Sequence, residues 1–279
     1  MALLLLKSCA VIYAVAALMG VASLFAKREH LESLSTWALS LGAVGQLWAL
    51  WSRGSELSSF PMANAHDALS VFGFALAITT FVAATTTRVP QIGPIGSVVV
   101  AAVVGIATAI QPAEAVPTEL RSAWLPLHIA LAFLGNAAFV VAGMVSVIYL
   151  IQERRVKRKR SLGRGHGGTG QHKLPALEVL DRMNLRLIVL GLPFMTLALV
   201  SGALYGREVW GMYWKWELRN VVSVMVWVLF ALLLHFRLTI GWRGRRAAIL
   251  TLFGVTAALL SIVGLAALGF GHHGMGVAT

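Results

Sequence analysis

The sequence predicts an all-α membrane protein, a polytopic transmembrane bundle of about eight helices with both termini on the extracytoplasmic side. Of its 279 residues, 58% are hydrophobic and only 12% are charged, whereas soluble domains carry about 25% charge. Apolar runs of roughly 20 residues recur along the chain, and a helix of that length crosses a hydrocarbon core of about 30 Å. Basic residues follow alternate runs, as expected for a chain that crosses a membrane repeatedly.

The predicted spans lie, in chain order, at residues 3–26, 34–51, 67–86, 94–110, 124–151, 185–205, 221–240 and 247–270. We interpret the first as a retained span, because its basic residues follow the apolar run, whereas those of a signal peptide precede it. The second and fourth are short. The fourth, GSVVVAAVVGIATAI, consists of small and β-branched residues, which favour close contact between membrane helices. Residues 1–279 therefore form one integral membrane domain.

Orientation follows from the basic residues, because short loops rich in Lys and Arg stay in the cytoplasm. Six such residues follow the fifth span, between Arg154 and Arg160, and three follow the seventh, between Arg243 and Arg246. Segment 152–184 is thus predicted to be a basic cytoplasmic linker, with the Gly-rich stretch SLGRGHGGTGQHK as its flexible part. The loop at 206–220 and both termini then face outward. We expect a multi-pass protein among the lipids of the bacterial cytoplasmic (inner) membrane.

The net charge of +12 indicates positive-inside anchoring, and we predict no nucleic-acid partner. Cys9 is the single cysteine. This chain therefore has no internal disulfide and no CxxC pair for thiol–disulfide chemistry. Any reductant that its function requires comes from elsewhere.

Two histidines are predicted at the depth of an outer aromatic segment, WGMYWKWELRN (residues 210–220). His128 lies about one turn into the outer end of the fifth span, and His273 lies just beyond the outer end of the eighth. Two imidazoles beside flat aromatic side chains suit an apolar, iron-bearing ligand such as haem. Other interpretations remain open: the aromatics could anchor at the interface, and His128 could bond to a neighbouring helix. His272 and His273 could form a weak metal site or part of a frayed tail.

His235 is predicted at a different depth. It lies about 14 residues, or roughly 21 Å, along the seventh span from its outer end, which places it near the cytoplasmic leaflet. An ionisable residue inside a span is a functional candidate. The alternative is a side chain that extends toward the cytoplasm beside Arg237.

Several motifs in a fixed order resemble a known family. The stretch LVSGALYGREVWGMYWKWELRNVVSVMVWVLFALLLHFRLTIGWRGRRAA resembles the tryptophan-rich (WWD) signature of the cytochrome c assembly family, of the CcsA/ResC type. The stretches FPMANAHDALSVFGF, WLPLHIALAFLGNAAF and GLAALGFGHHGMG resemble further motifs of that family. The last of these puts His273, rather than His272, on the family's histidine. The resemblance covers most of the chain from about Phe60 onward.

The resemblance implies transmembrane haem delivery and ligation to apocytochrome c in cytochrome c maturation. His128 and His273 would be the axial ligands of an outer haem b, and His235 would belong to a second, membrane-embedded haem station. The apocytochrome would present a CxxCH segment, and a CcsB/ResB-like membrane partner would complete a haem lyase complex. No independent catalytic site is identified in this chain. The residues implied to cradle the porphyrin are Trp210, Tyr213, Trp214, Trp216 and Glu217.

The signature also departs from the family's pattern. Where the family has WDPKExW, this chain reads WELRNVV, without the proline, the second acid and a tryptophan. The change and the long basic linker favour an alternative, a HemX-like membrane regulator of haem biosynthesis that controls the level of glutamyl-tRNA reductase. A solute transporter is a third hypothesis. It is motivated only by the eight spans and an embedded histidine, because the sequence shows no repeat symmetry or pair of broken helices.

Overall fold

The structure, a computed structural model, describes residues 1–26, 28–62, 64–87, 89–112, 122–161 and 175–269, with only the backbone described for 159–161, 219 and 261–269. These residues form eight α-helices. They are α1 (Ala2–Ala26), α2 (Glu29–Leu57), α3 (Ala65–Thr86), α4 (Ile92–Ala109), α5 (Trp124–Ser161), α6 (Leu177–Trp210), α7 (Leu218–Thr239) and α8 (Arg245–Gly269).

Six of the eight helices in the described part are long and apolar enough to cross a membrane, namely α1, α3, α4, α5, α6 and α7. The predicted all-α membrane bundle is therefore confirmed. Membrane crossing by α2 and α8, and the outward position of both termini, stay predictions.

Several helices extend beyond their predicted spans. The fifth was predicted to end at residue 151, but α5 continues to Ser161. Its added part is rich in Lys, Arg and Glu, which are good helix formers, and Lys157 donates to Glu153 at 2.8 Å. Of the predicted linker 152–184, residues 152–161 belong to α5 and residues 177–184 belong to α6. Residues 162–174 lie outside the described ranges. The position of the linker in the cytoplasm stays a prediction.

The predicted outer loop, residues 206–220, is likewise shorter than expected. α6 continues to Trp210 and α7 begins at Leu218, which leaves 211–217 as the connection. Gly211 ends α6 with a φ of 73°, a left-handed conformation that glycine adopts without steric cost. We call the end of the bundle that carries residues 211–217 the loop end.

The helices pack in two groups that meet at α5. In the first group, α1 packs against α2 and α4, and α3 packs against α2, α4 and α5. In the second group, α5 packs against α6 and α8, and α7 packs against the same two helices, α6 and α8. Small residues bring helices close together: a Cβ added at Gly20 would lie 2.8 Å from the carbonyl oxygen of Pro94, at the start of α4. The close helix contact predicted for the fourth span is thus confirmed.

The core and the outer surface are both apolar. Phe139 of α5 stacks on Phe230 of α7 with ring centroids 3.7 Å apart. Large apolar side chains are also exposed on the outside of the bundle, as expected where lipid takes the place of water. On α2 they form a stripe of Leu34, Trp37, Leu41, Val44, Trp48 and Trp51.

Candidate functional site

His128 projects from α5 against α6, where a backbone carbonyl fixes its ring. Its Nδ1 lies 2.7 Å from the carbonyl oxygen of Ala198. A carbonyl can only accept, so Nδ1 carries the hydrogen, and in the neutral ring Nε2 then holds the lone pair that binds a metal. The bond to a neighbouring helix that the sequence left open is therefore present. It also sets the tautomer that a ligand to iron needs.

Gly202 of α6 makes room for this ring. A Cβ at that position would lie 2.8 Å from both Cε1 and Nδ1 of His128. Gly206 follows one turn later, about 6 Å along the helix, and its added Cβ would lie 3.1 Å from the carbonyl oxygen of Met212. His128 therefore lies about one helical turn below the level at which α6 meets Met212 and the Trp210 ring. Its depth in the membrane stays a prediction.

A pair of hydrogen bonds ties the start of α5 to the end of α6 above His128. The Ser122 hydroxyl donates to Glu208 at 2.6 Å and accepts from the backbone N–H of Trp124 at 3.1 Å. This arrangement holds the helix of His128 against the helix that leads into the loop. Sequence reasoning missed Ser122 and the packing role of Gly202, although the spacing of Gly202 and Gly206 is typical of close helix contact.

The loop end carries an aromatic shelf, formed by Trp210, Tyr213, Trp214 and Trp216. All four side chains are exposed, and Trp216 is 86% exposed. Trp214 and Trp216 meet edge to face with centroids 5.7 Å apart. Such a surface can accept a flat apolar ligand or lie in the membrane interface, as the sequence indicated.

Two cations lie on the shelf. Arg207 donates to the Tyr213 hydroxyl at 2.7 Å, and its guanidinium carbon is 4.8 Å from the centroid of that ring. Lys215 places Nζ 4.3 Å from the Trp210 ring centroid and 3.7 Å from a carboxylate oxygen of Glu217. Glu217, predicted to face the porphyrin, thus pairs with Lys215. Arg207 and Lys215 had no predicted role, although both stand within a few residues of the aromatics.

His235 is exposed on the outside of the bundle, and the structure does not bring it to His128. It continues an outward stripe on α7 with Met225, Val228 and Leu232. The alternative interpretation, in which the His235 side chain extends toward the cytoplasm, stays untested. Arg237, two residues further on, does not share this outward face. Its side chain turns into the bundle and is only 2% exposed.

Arg237 is held by partners on α6. Its guanidinium pairs with the Asp181 carboxylate at 3.0 Å and donates to the side-chain oxygen of Asn184. Asp181 also accepts from the backbone N–H of Gly244 at 2.8 Å, so the same residue fixes the connection between α7 and α8. This polar cluster sets the rotation of α7 and therefore the direction in which His235 faces.

Other histidines fall outside the candidate site or outside the described residues. His66, whose role the sequence left open, is buried, with Nδ1 2.8 Å from the carbonyl oxygen of Ala107. It links α3 to α4. The predicted second ligand, His273, lies outside the described residues, together with His166, His172 and His272.

The chemistry of the loop end fits a haem. It offers an imidazole whose metal-binding nitrogen is set by a carbonyl bond, beneath exposed aromatic rings that suit a porphyrin face. It also has cations at the edge of the shelf. His128 and the shelf residues would hold such a group.

Comparisons with known proteins connect this site to a family. A family model described as "Cytochrome C assembly protein" matches residues 27–273. A relative from Synechococcus elongatus, named "Cytochrome c biogenesis protein CcsA", is 27% identical, and the match covers 90% of each chain. Proteins of the same name from Microcystis aeruginosa and Guillardia theta are 28% and 27% identical, with 81% of this chain covered in both cases and 82% and 80% of the relative.

Proposed function

Since the chain belongs to the cytochrome c assembly protein family, as its motifs predicted, we propose that it binds haem at the loop end and delivers it for ligation to apocytochrome c. The observation that supports this proposal best is the His128 imidazole, fixed by the Ala198 carbonyl about one turn below the aromatic shelf. The names of the similar proteins place those proteins in cytochrome c biogenesis. A role in cytochrome c biogenesis follows from the family membership and from those relatives.

In this proposal His128 would bind the iron through Nε2, and His273 would be the second ligand. Trp210, Tyr213, Trp214 and Trp216 cover the porphyrin, with Glu217 at the edge of the shelf. Burial of apolar porphyrin surface stabilises the complex by about 25 cal/mol per Å². Haem b, when bound, supplies the vinyl groups to which the CxxCH thiols of the apocytochrome add. The chain itself binds and orients, and we assign it no catalytic residue.

His235 forms part of a second haem station in the same proposal. Because it is exposed on the outside of α7, the described residues of this chain do not surround it. We propose that a CcsB/ResB-like membrane partner covers this face and that the two chains act as a haem lyase complex. The complex lies in the bacterial inner membrane, with the loop end outside the cytoplasm.

The regulatory alternative rests on the altered segment WELRNVV and on the long basic linker. The relatives above favour cytochrome c maturation, and none of them is named as a regulator of haem synthesis.

Deletion of the gene distinguishes the two functions. We expect loss of all c-type cytochromes, seen by haem staining, with an unchanged level of glutamyl-tRNA reductase. The wild-type gene restores the cytochromes, and a His128→Ala gene does not. Normal c-type cytochromes together with an altered reductase level would contradict haem delivery and support the regulator.

A further inference from the structure

Two ring faces of the aromatic shelf are covered by the chain's own cations. Lys215 lies over the Trp210 ring, and Arg207 lies over the Tyr213 ring. The two neighbouring indoles, Trp214 and Trp216, meet each other edge to face. A porphyrin that stacks on either of these covered faces must therefore displace a cation, which needs a new partner.

The contacts that hold these cations are weaker than those that a carboxylate ligand offers. Exposed cation–π pairs contribute little, whereas a charge-assisted bond to a carboxylate is among the stronger hydrogen bonds of proteins. Lys215 is 3.7 Å from Glu217, which is longer than a direct hydrogen bond. Arg207 bonds to a neutral phenol. Both cations can therefore exchange their present partners for an anionic ligand.

Two other arginines, Arg53 and Arg237, are not available to an anionic ligand, because a carboxylate already holds each of them. Arg53 pairs with the buried Asp67 at 3.0 Å, and Arg237 is held inside the bundle by Asp181. Arg207 and Lys215 instead stand at the rim of the shelf, on the same short segment as the rings that they cover.

We propose that Arg207 and Lys215 recognise the carboxylate edge of the porphyrin and that the shelf selects a dicarboxylate tetrapyrrole over an uncharged one. This inference rests on the proposed haem site. As the two propionates pair with the two cations, the Trp210 and Tyr213 faces become available to the macrocycle. Arg207 and Lys215 thus cover the two rings when no ligand is bound, and they orient the ligand once it binds.

The test compares two iron porphyrins that differ only at these carboxylates, protohaem and its dimethyl ester. Each is titrated into the purified full-length chain in neutral detergent, and binding is followed by absorbance. We expect wild type to bind protohaem roughly 3- to 10-fold more tightly than the ester, the factor that one or two partly exposed ion pairs supply. Added salt should reduce this preference.

Each of the variants Lys215→Met and Arg207→Gln should lower the affinity ratio, and the double variant should bring it close to one, because protohaem loses the partners of its propionates whereas the ester has no such partners to lose. Lys7→Met is the matched control. Lys7 is an exposed cation on α1, which packs against α2 and α4, and its loss should keep the wild-type ratio. Continued binding of the ester shows that each variant is folded.

A wild-type ratio near one, or an unchanged ratio in both shelf variants, overturns the inference. His128→Ala separates this failure from failure of the haem site itself. If His128→Ala weakens both porphyrins while the shelf variants keep the wild-type ratio, only the inference is wrong. If wild type binds neither porphyrin, both the site and the inference are wrong.

Discussion

One carbonyl oxygen decides which nitrogen of His128 can bind a metal. The Ala198 carbonyl accepts a hydrogen bond from Nδ1–H, so that the lone pair of the neutral ring is on Nε2. Gly202 permits this geometry, because any side chain there would meet the ring. At the scale of single residues the candidate site therefore depends on a glycine and a carbonyl of α6 as much as on the histidine.

We expect Gly202→Ala to reduce the haem bound per protein by about 10-fold, the lower end of the usual effect of losing a supporting bond to a metal ligand. The new Cβ would lie 2.8 Å from two ring atoms of His128, so the ring must leave the Ala198 carbonyl. Haem content is measured on protein purified in detergent.

Gly105→Ala is the control for this change, because an added Cβ at Gly105 has nothing within 4 Å. It should keep the wild-type haem content. Equal haem content in Gly202→Ala and wild type would show that the position of the His128 ring does not matter for binding.

At the scale of elements, α7 is fixed to α6 mainly through the polar cluster around Arg237. Asp181 and Asn184 hold its guanidinium. Nearer the loop end of the same two helices, the Trp227 indole N–H donates to the Thr196 hydroxyl at a distance of 2.8 Å. The Nε of Arg237 is buried and has no partner among the described residues. The positive charge of the Arg237 guanidinium therefore depends on Asp181 as its counter-ion.

We predict that Asp181→Ala lowers the free energy of unfolding by about 3 kcal/mol, because it leaves a buried guanidinium without its counter-ion. Arg182→Ala is the matched control: its pair with Glu178, at 2.7 Å, is exposed on both sides. Such a pair contributes about 1 kcal/mol or less. Unfolding in mixed detergent, followed by circular dichroism, gives both values, and equal losses would contradict the role of the cluster.

The elements themselves were largely predictable, and their ends were not. Long apolar runs indicated where helices form, because only a helix satisfies its own backbone in lipid. The ends differed because a charged sequence does not stop a helix: α5 continues through Arg154 and Arg155. Contacts between distant helices, such as the 2.9 Å bond from Asn184 to Ser146, have no signal in one sequence.

At the scale of the whole molecule, the proposed haem delivery requires that the bundle has an outer end and a cytoplasmic end. The place of His128 about one turn into α5 was predictable, because the apolar run indicated a helix that begins at Trp124. The outward direction of His235 was not, because it is set by the inward bond of Arg237 to α6. The cations over the shelf rings depended on the fold of 211–217, which has no helical or strand period.

Single cysteines test the orientation. We expect Trp216→Cys to react with a membrane-impermeant maleimide in intact cells, and Arg155→Cys to react only after the membrane is opened. Both positions are exposed in the structure, whereas Cys9, the single native cysteine, is buried. Labelling of Arg155→Cys, and not of Trp216→Cys, in intact cells would place the loop end in the cytoplasm.

The spin state of the bound iron tests the central claim, that His128 is an axial ligand of haem. Wild type should show the low-spin absorption and electron paramagnetic resonance spectra of iron with two imidazole ligands. His128→Ala should lose its haem or become high-spin, and free imidazole should restore the low-spin signal. An unchanged low-spin spectrum and haem content in His128→Ala would contradict the account.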